Sequence, residues 1–246
     1  MRTSNPALND RVFTQSFAAN SSDTMSLQGT VLKTAFLLAL AFGTATFSWE
    51  ALRNGNEYAM LMLVGGGIGG FVTSLITIFK PQTSPWSAPL YAAFEGLLLG
   101  GMSAYFESAF NGIVLQAALL TFGTLGALLL AYSTRLIRAT ENFKLGVVAA
   151  TGGIALVYLA SFVLGFFNVQ IPYLHSTGWV GIAISGFIVV VAALNLVLDF
   201  DFIETGVNRG APKYMEWYGA FGLMVTLVWL YIEFLRLLAK LNSRED

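Results

Sequence analysis

The sequence predicts an all-α fold, a polytopic integral membrane protein built as a seven-transmembrane-helix bundle. Three observations carry this. Of 246 residues, 56% are hydrophobic and only 11% are charged, against roughly 25% charged in an ordinary soluble domain. Mean hydropathy is +0.68, and a soluble chain of this length needs more charge than that to cover its surface. The apolar residues are also gathered in runs of roughly 20, the length a helix needs to cross a bilayer. They lack the period-two alternation that a membrane barrel requires.

The same numbers exclude other classes. The composition is too apolar for a disordered chain. The absence of cysteine excludes a disulfide scaffold, and a formal net charge of -1 argues against nucleic acid as a partner. About 138 apolar side chains, with some of the 25 glycines, suffice for six or seven spans.

The elements follow in order. Residues 1–28 are polar and rich in Asn, Ser and Thr, and are expected to form a cytoplasmic tail without the basic and apolar regions of a signal peptide. Leu8, Val12, Phe13 and Phe17 mark one side of a short interfacial helix within it, or lie in a loose segment. Residues 29–241 form the transmembrane domain, with spans expected near 31–49, 58–79, 88–106, 112–133, 145–167, 179–200 and 217–240, and residues 242–246 a short polar end. Arg53-Asn54-Gly55-Asn56 closes the first hairpin. Lys80-Pro81, followed by Pro85 and Pro89, ends the second span, because proline has no N–H to continue a helix. Arg135, Arg138, Glu141 and Lys144 punctuate spans four and five, and Gly206 to Pro212 separates six from seven.

Orientation follows the distribution of basic residues. With seven spans, the side of the N-terminus holds nine of the 13 lysines and arginines, including Lys33, Lys80 and Lys213, and the opposite side holds four. The excess places the N-terminus in the cytoplasm. Small residues four apart, at Gly66/Gly70, Gly96/Gly100 and Gly123/Ala127, are expected to let helix backbones approach closely within the bundle.

The chemistry is expected at carboxylates inside the spans. Insertion scales put a charged side chain at the bilayer centre at about 2.5–3.5 kcal/mol, so such a group faces a polar cavity, finds a partner or takes up a proton. Glu95 falls in span three, about 10 Å in from the cytoplasmic side at 1.5 Å per residue. Asp199 ends span six at the same edge, with Asp201 just beyond it facing solvent and Asn195 one turn deeper on its face. Lys80 ends span two on that side as a counter-charge. Glu233 lies about 24 Å along span seven, near the outer edge, with Arg236 at i+3 as a local partner. Two carboxylates in one site disfavour double ionisation, and clustered carboxylate oxygens also suit a hard cation. Asp199 and Glu95 are therefore candidate proton and transient Ca2+ ligands.

Several segments together carry a family resemblance: Met-Arg-Thr-Ser-Asn-Pro-Ala-Leu-Asn-Asp (1–10), Ala-Pro-Leu-Tyr-Ala-Ala-Phe-Glu-Gly-Leu-Leu-Leu-Gly (88–100), Ala-Leu-Asn-Leu-Val-Leu-Asp-Phe-Asp-Phe-Ile-Glu (193–204), and Glu-Trp-Tyr-Gly-Ala-Phe-Gly-Leu (216–223) leading to Leu-Tyr-Ile-Glu-Phe-Leu-Arg-Leu-Leu (230–238). Across essentially its whole length the chain resembles the bacterial branch of the Bax inhibitor family, the transmembrane Bax-inhibitor-motif proteins. The resemblance implies a seven-helix bundle with the last helix central, in the bacterial inner membrane. It further implies a pH-sensitive calcium leak gated by acids on the last two helices. The helix-six acid matches Asp199, and the basic latch after helix two matches Lys80. For the helix-seven acid, one register selects Glu233 and another puts Thr226 in its place; in the second, Glu95 supplies the paired carboxylate.

Other chemistries lack their residues. The single His175 falls in a loop, which leaves no membrane-embedded serine–histidine pair. One histidine and no cysteine argue against a metal enzyme. The glycines of 65–70 lie inside a span, with no strand or lysine to make a phosphate loop. The expected function is thus not enzymatic and uses no cofactor: a leak channel or transporter for a cation, Ca2+ by preference, whose partners are the lipid bilayer, Ca2+ and protons. The alternative is a non-conducting membrane protein that binds and regulates another.

Overall fold

The structure is a computed structural model that describes residues 24–167 and 178–243. Most of the expected N-terminal tail, the loop with His175 and the last three residues lie outside the described residues. Seven α-helices are present among the described residues: α1 (Leu27–Arg53), α2 (Ala59–Phe79), α3 (Ser84–Ala109), α4 (Ile113–Ser133), α5 (Glu141–Gly165), α6 (Trp179–Asn208) and α7 (Met215–Asn242), with a 3-10 turn at Pro81–Thr83. All except α3 are long and apolar enough to cross a membrane. No strand element occurs among the described residues; Thr24 and Pro212 form an isolated bridge.

Helix boundaries follow local chemistry. Ser26 caps α1, its hydroxyl accepting from the Gly29 N–H at 3.0 Å, and Thr140 caps α5 through the Phe143 N–H. Each cap satisfies a donor that the first turn leaves open. The turn after α6 closes at Gly210, whose φ of 64° suits a residue without a side chain.

Several boundaries differ from expectation: α1 runs four residues beyond the expected 31–49 at each end, and three others differ as follows. Helix α3 begins at Ser84, not near residue 88, so Pro85 and Pro89 lie within it. Pro85 falls in the first turn, where an N–H has no intrahelical partner. Pro89 lacks the N–H that would bond the Pro85 carbonyl, and so removes a single rung without ending the helix. Helix α5 takes in Glu141 and Lys144 because Thr140 caps it upstream of both. Helix α6 continues to Asn208, so Asp199 and Asp201 are helical residues rather than a span end.

The chain divides into two compact units. Among the described residues, one comprises 24–109 and 199–225, and so contains α1, α2, α3, the last part of α6 and the first part of α7. Here α3 packs along both α1 and α2. It does so through small residues: Ser87, Ala88, Ala92, Gly96, Gly100 and Ala104 are buried. A Cβ on Gly96 or Gly100 would overlap the backbone carbonyls of Ala41 and Ala45 on α1, and one on Gly66 of α2 would come within 2.7 Å of the Phe94 carbonyl. The pairs Gly66/Gly70 and Gly96/Gly100 are therefore close-approach surfaces, as expected. Across these surfaces the Ser48 hydroxyl donates to the Leu97 carbonyl at 2.8 Å, and the Thr77 hydroxyl to that of Ser87 at 2.8 Å. Small and hydroxylated residues, together with Glu95 and Glu107, are what lower the hydropathy of α3.

The other unit comprises Phe110–Leu198 and Thr226–Asp246, with α4, α5 and the remaining parts of α6 and α7. Its core gathers Ile154, Ile188 and Val191, with Ile184, Tyr158 and Trp229 packed against them. The outer faces of α4 and α5 expose Leu119, Phe122, Leu130, Leu156, Leu159 and Phe162. A belt of this kind suits a hydrocarbon solvent. Gly123 has no atom within 4 Å of where its Cβ would be, so the third small pair does not mark a close approach.

These contacts separate glycines by their surroundings. Gly96→Leu is expected to lower the midpoint of thermal unfolding in detergent, with a loss of about 1–3 kcal/mol from overpacking. Gly123→Ala, facing open space, should leave the midpoint unchanged or raise it slightly through helix propensity. Equal melting of the two variants would refute the packing account.

Candidate functional site: carboxylates within the helices

In the unit of α1 to α3, Glu95 and Asp199 are both buried, at 8% and 0% exposure. Glu95 sits at the middle of α3, one turn after Tyr91 and on the same helix face. Tyr91 is itself buried and meets the Phe221 ring of α7 edge-on, with centroids 4.9 Å apart. Room for the carboxylate comes from Gly70 of α2, where a Cβ would lie 2.9 Å from Glu95 Oε2. Asp199 lies on α6 among Val197, Leu198 and Phe200, all buried. One turn on, Phe202 faces Tyr218 of α7, which in turn lies beside Phe221. A run of four rings, Phe202, Tyr218, Phe221 and Tyr91, thus joins the α6 segment that carries Asp199 to the turn that carries Glu95.

The remaining expected residues of this unit are placed as follows. Asp201 is half-buried rather than facing solvent, since α6 continues past it, and Glu204 is exposed. Lys80 is exposed at the C-cap of α2, and no ion pair joins it to another described residue.

Glu216 is a fourth buried acid, which sequence reasoning left among the span ends. It is fully buried in the first turn of α7. Its Oε1 accepts from the Ser26 N–H at 2.9 Å, the Ser26 hydroxyl at 2.7 Å and Lys213 Nζ at 3.0 Å, while Lys33 Nζ of α1 pairs with Oε2. The Lys33 ammonium also lies 5.4 Å from the Trp217 ring centroid. Gly29 is obligatory here, because a Cβ would overlap the carboxylate. A buried charge is tolerable when it is both paired and hydrogen-bonded, and Glu216 is both. The Met25 N–H reinforces the junction by donating to the Ala211 carbonyl at 2.6 Å. Lys213, at i-3, was the visible part of this network; Lys33, 183 residues away, has no local signature.

The second unit holds Glu233, Asn195 and Thr226. Glu233 is 1% exposed, not close to water as its distance along the helix predicts. Its Oε1 accepts from the Tyr158 hydroxyl at 2.9 Å, Trp229 Nε1 at 3.3 Å and Arg236 at 3.1 Å. The Arg236 pairing is the expected one. The burial comes from Tyr158 of α5, over whose ring Arg236 lies at 5.3 Å, and Oε2 has no hydrogen-bond partner among the described residues. Lys240 turns to α6 and donates to Ser185 Oγ at 2.8 Å and the Gly181 carbonyl at 3.0 Å. Asn195 is buried and donates to Thr151 Oγ1 and the Val191 carbonyl, each at 2.8 Å. Thr226 is buried at 3% exposure. Among the described residues, no group of three or more His, Cys, Asp or Glu side chains is placed to hold a metal ion.

A helical chain with buried carboxylates and apolar outer faces defines a multi-pass membrane protein. The chain belongs to the Bax inhibitor 1 like family, whose sequence pattern matches residues 5–243. Comparison with curated proteins finds no match, and comparison with solved structures finds none either.

The Glu216 network has a graded mutational signature. Glu216→Gln removes the charge that holds two lysines and is expected to destabilise the protein by about 1.5–3 kcal/mol, the range for hydrogen bonds to charged groups. Lys33→Gln should weaken it more than Lys213→Gln, because Lys213 is half-exposed and water screens its pair. Thermal unfolding in detergent ranks the three, and a larger loss at Lys213 would contradict the geometry.

Proposed function

We propose that the protein is a pH-sensitive pathway for a cation, Ca2+ by preference, across the bacterial inner membrane. In this reading the chain spans the bilayer seven times with its N-terminus in the cytoplasm, α3 is the third span, and α7 is the enclosed last helix. The small-residue faces of α3 support its place among the spans, and the burial of more than half of the most apolar stretch of α7 supports the other. The permeant ion is substrate rather than cofactor, and the chemistry is transport, not catalysis.

The observation that carries the reading is the burial of Glu95 and Asp199 on separate helices of one compact unit. Carboxylates in such surroundings are costly as bare anions. Protonation removes the charge, and a hard cation balances it with oxygen ligation completed by water. Exchange between those two states makes ion passage depend on pH. Glu216, saturated by two lysines and Ser26, is unsuited to that exchange and belongs to the scaffold.

The test is calcium entry into liposomes that contain only the purified protein and a trapped calcium dye, read across external pH. Wild type is expected to show flux that changes with pH. Asp199→Asn and Glu95→Gln should each flatten that dependence by removing a proton-exchanging group. No flux at any pH would overturn the reading in favour of a non-conducting membrane protein that regulates another, and unchanged pH dependence in both variants would remove these acids from the mechanism.

A further inference from the structure

We propose that the seam between α2 and α3 is the entry path to Glu95: a line of hydroxyl oxygens that admits water and a cation from the α2–α3 turn, closed in this structure where Thr77 meets Ser87. That an admitted ion goes on to cross the membrane rests on the function proposed above; access to Glu95 does not.

Two contacts fix the register of the seam. The Thr77 hydroxyl of α2 donates to Ser87 Oγ of α3 at 2.8 Å, and Gly70 of α2 lies against Glu95 Oε2. Seven residues back along α2 thus answer eight forward along α3, about 10–12 Å of antiparallel seam at 1.5 Å per residue. Polar side chains recur through it at helical spacing. Thr73 is four residues before Thr77, and Ser87, Tyr91 and Glu95 are four apart on one face of α3. At the turn, Thr83 Oγ1 lies 3.3 Å from Ser87 Oγ. Thr73, Thr77 and Ser87 are buried, and Thr83 is half-buried. Trp86, exposed beside Ser87, is the residue type that marks a membrane–water boundary, and sets the mouth of the seam at that level.

The chemistry of the lining suits a cation. Thr73 donates to the Gly69 carbonyl at 2.7 Å, Ser87 to the Thr83 carbonyl at 3.0 Å and Thr83 to the Lys80 carbonyl at 2.7 Å. A hydroxyl has one proton and two lone pairs, so a proton turned to the backbone leaves oxygen to face the seam. Such oxygens replace water around a hard cation. Thr77 has two acceptors at 2.8 Å, Ser87 Oγ on α3 and the Thr73 carbonyl on its own helix. The helices can therefore part at this point without leaving a donor unmet, which keeps the cost of opening small.

Hydroxyls between membrane helices also serve as packing contacts. Packing alone gives no reason for them to stop at the acid. Beyond Glu95 the same seam closes on glycine and leucine: Gly66 lies against the α3 backbone, Gly67 against Leu98 and Gly101 against Leu63. The hydroxyls line the stretch from the turn to Glu95 and end there.

The chain has no cysteine, so introduced thiols report without background. Thr77→Cys and Ser87→Cys, each in full-length protein in liposomes, are reacted with a trimethylammonium methanethiosulfonate, a cationic thiol reagent that does not cross lipid. Ala92→Cys is the control, equally buried on α3 but one turn before Gly96 on the stripe that faces α1. Both seam thiols are expected to react about tenfold faster than the control, as sites that open locally do. In the double variant Thr77→Cys/Ser87→Cys the two thiols lie within disulfide reach. Once loss of free thiol shows the bond has formed, calcium flux is expected to be lost, and a reductant to restore it. Seam thiols that react no faster than Ala92→Cys overturn the path, and so does flux that the disulfide leaves unchanged. If wild type carries no calcium while the seam thiols still react, the entry path stands and the transport function falls.

Discussion

A carboxylate taken out of water inside an apolar helical protein must be given something in return for its hydration, and this constraint organises the polar interior here. Four acids are buried among the described residues discussed above, and the structure answers them differently. Glu216 receives two lysines, a serine hydroxyl and a backbone N–H. Glu233 receives an arginine, a tyrosine and a tryptophan, all on one oxygen. Glu95 lies a turn after Tyr91 on the same face of α3, against the space left by Gly70. The supply of donors therefore differs between the two ends of α7: both oxygens of Glu216 are engaged, and one of Glu233. A saturated carboxylate is scaffold, because changing its state breaks several bonds at once.

The glycines serve the same constraint. Gly29 is absent of side chain where the Glu216 carboxylate lies, and Gly70 where the Glu95 carboxylate lies. In both cases the acid is on one helix and the space for it on another, so that the polar site and the helix contact are made together. Gly96 and Gly100 do purely steric service against α1. A chain with this many glycines in its spans is thus using them for two purposes, and only the neighbour across the interface tells which.

Much of the architecture was legible because bilayers impose it. Apolar runs of the right length located all seven helices, most ends within four residues and the end of α6 eight residues short, since each run is long and bounded by polar turns. The errors have a common cause: charged and proline residues were read as stops. Glu141 and Lys144 lie after the cap at Thr140, where a first turn accepts charge, and Asp199 and Asp201 lie two turns before the end of α6. Pro89 is tolerated inside α3, where it removes a single rung of the ladder. The pairing of Glu233 with Arg236 was readable from their i+3 spacing, and so was the shared face of Tyr91 and Glu95 at i+4. The bonds from Lys33 to Glu216, Thr151 to Asn195 and Tyr158 to Glu233 were not, because each joins helices whose relative rotation no local pattern encodes.

The aromatic run from Phe202 through Tyr218 and Phe221 to Tyr91 links the α6 segment bearing Asp199 to the turn of α3 bearing Glu95. Rings in edge-on and tilted contact are stiff, and a packed core resists small continuous distortion. A change in the side chain at Glu95 that moves Tyr91 must move Phe221 or leave a gap beside it. Tyr218 is the weak point of the run, since its hydroxyl is buried with no hydrogen-bond partner among the described residues. An unmet donor of this kind costs about 1–3 kcal/mol.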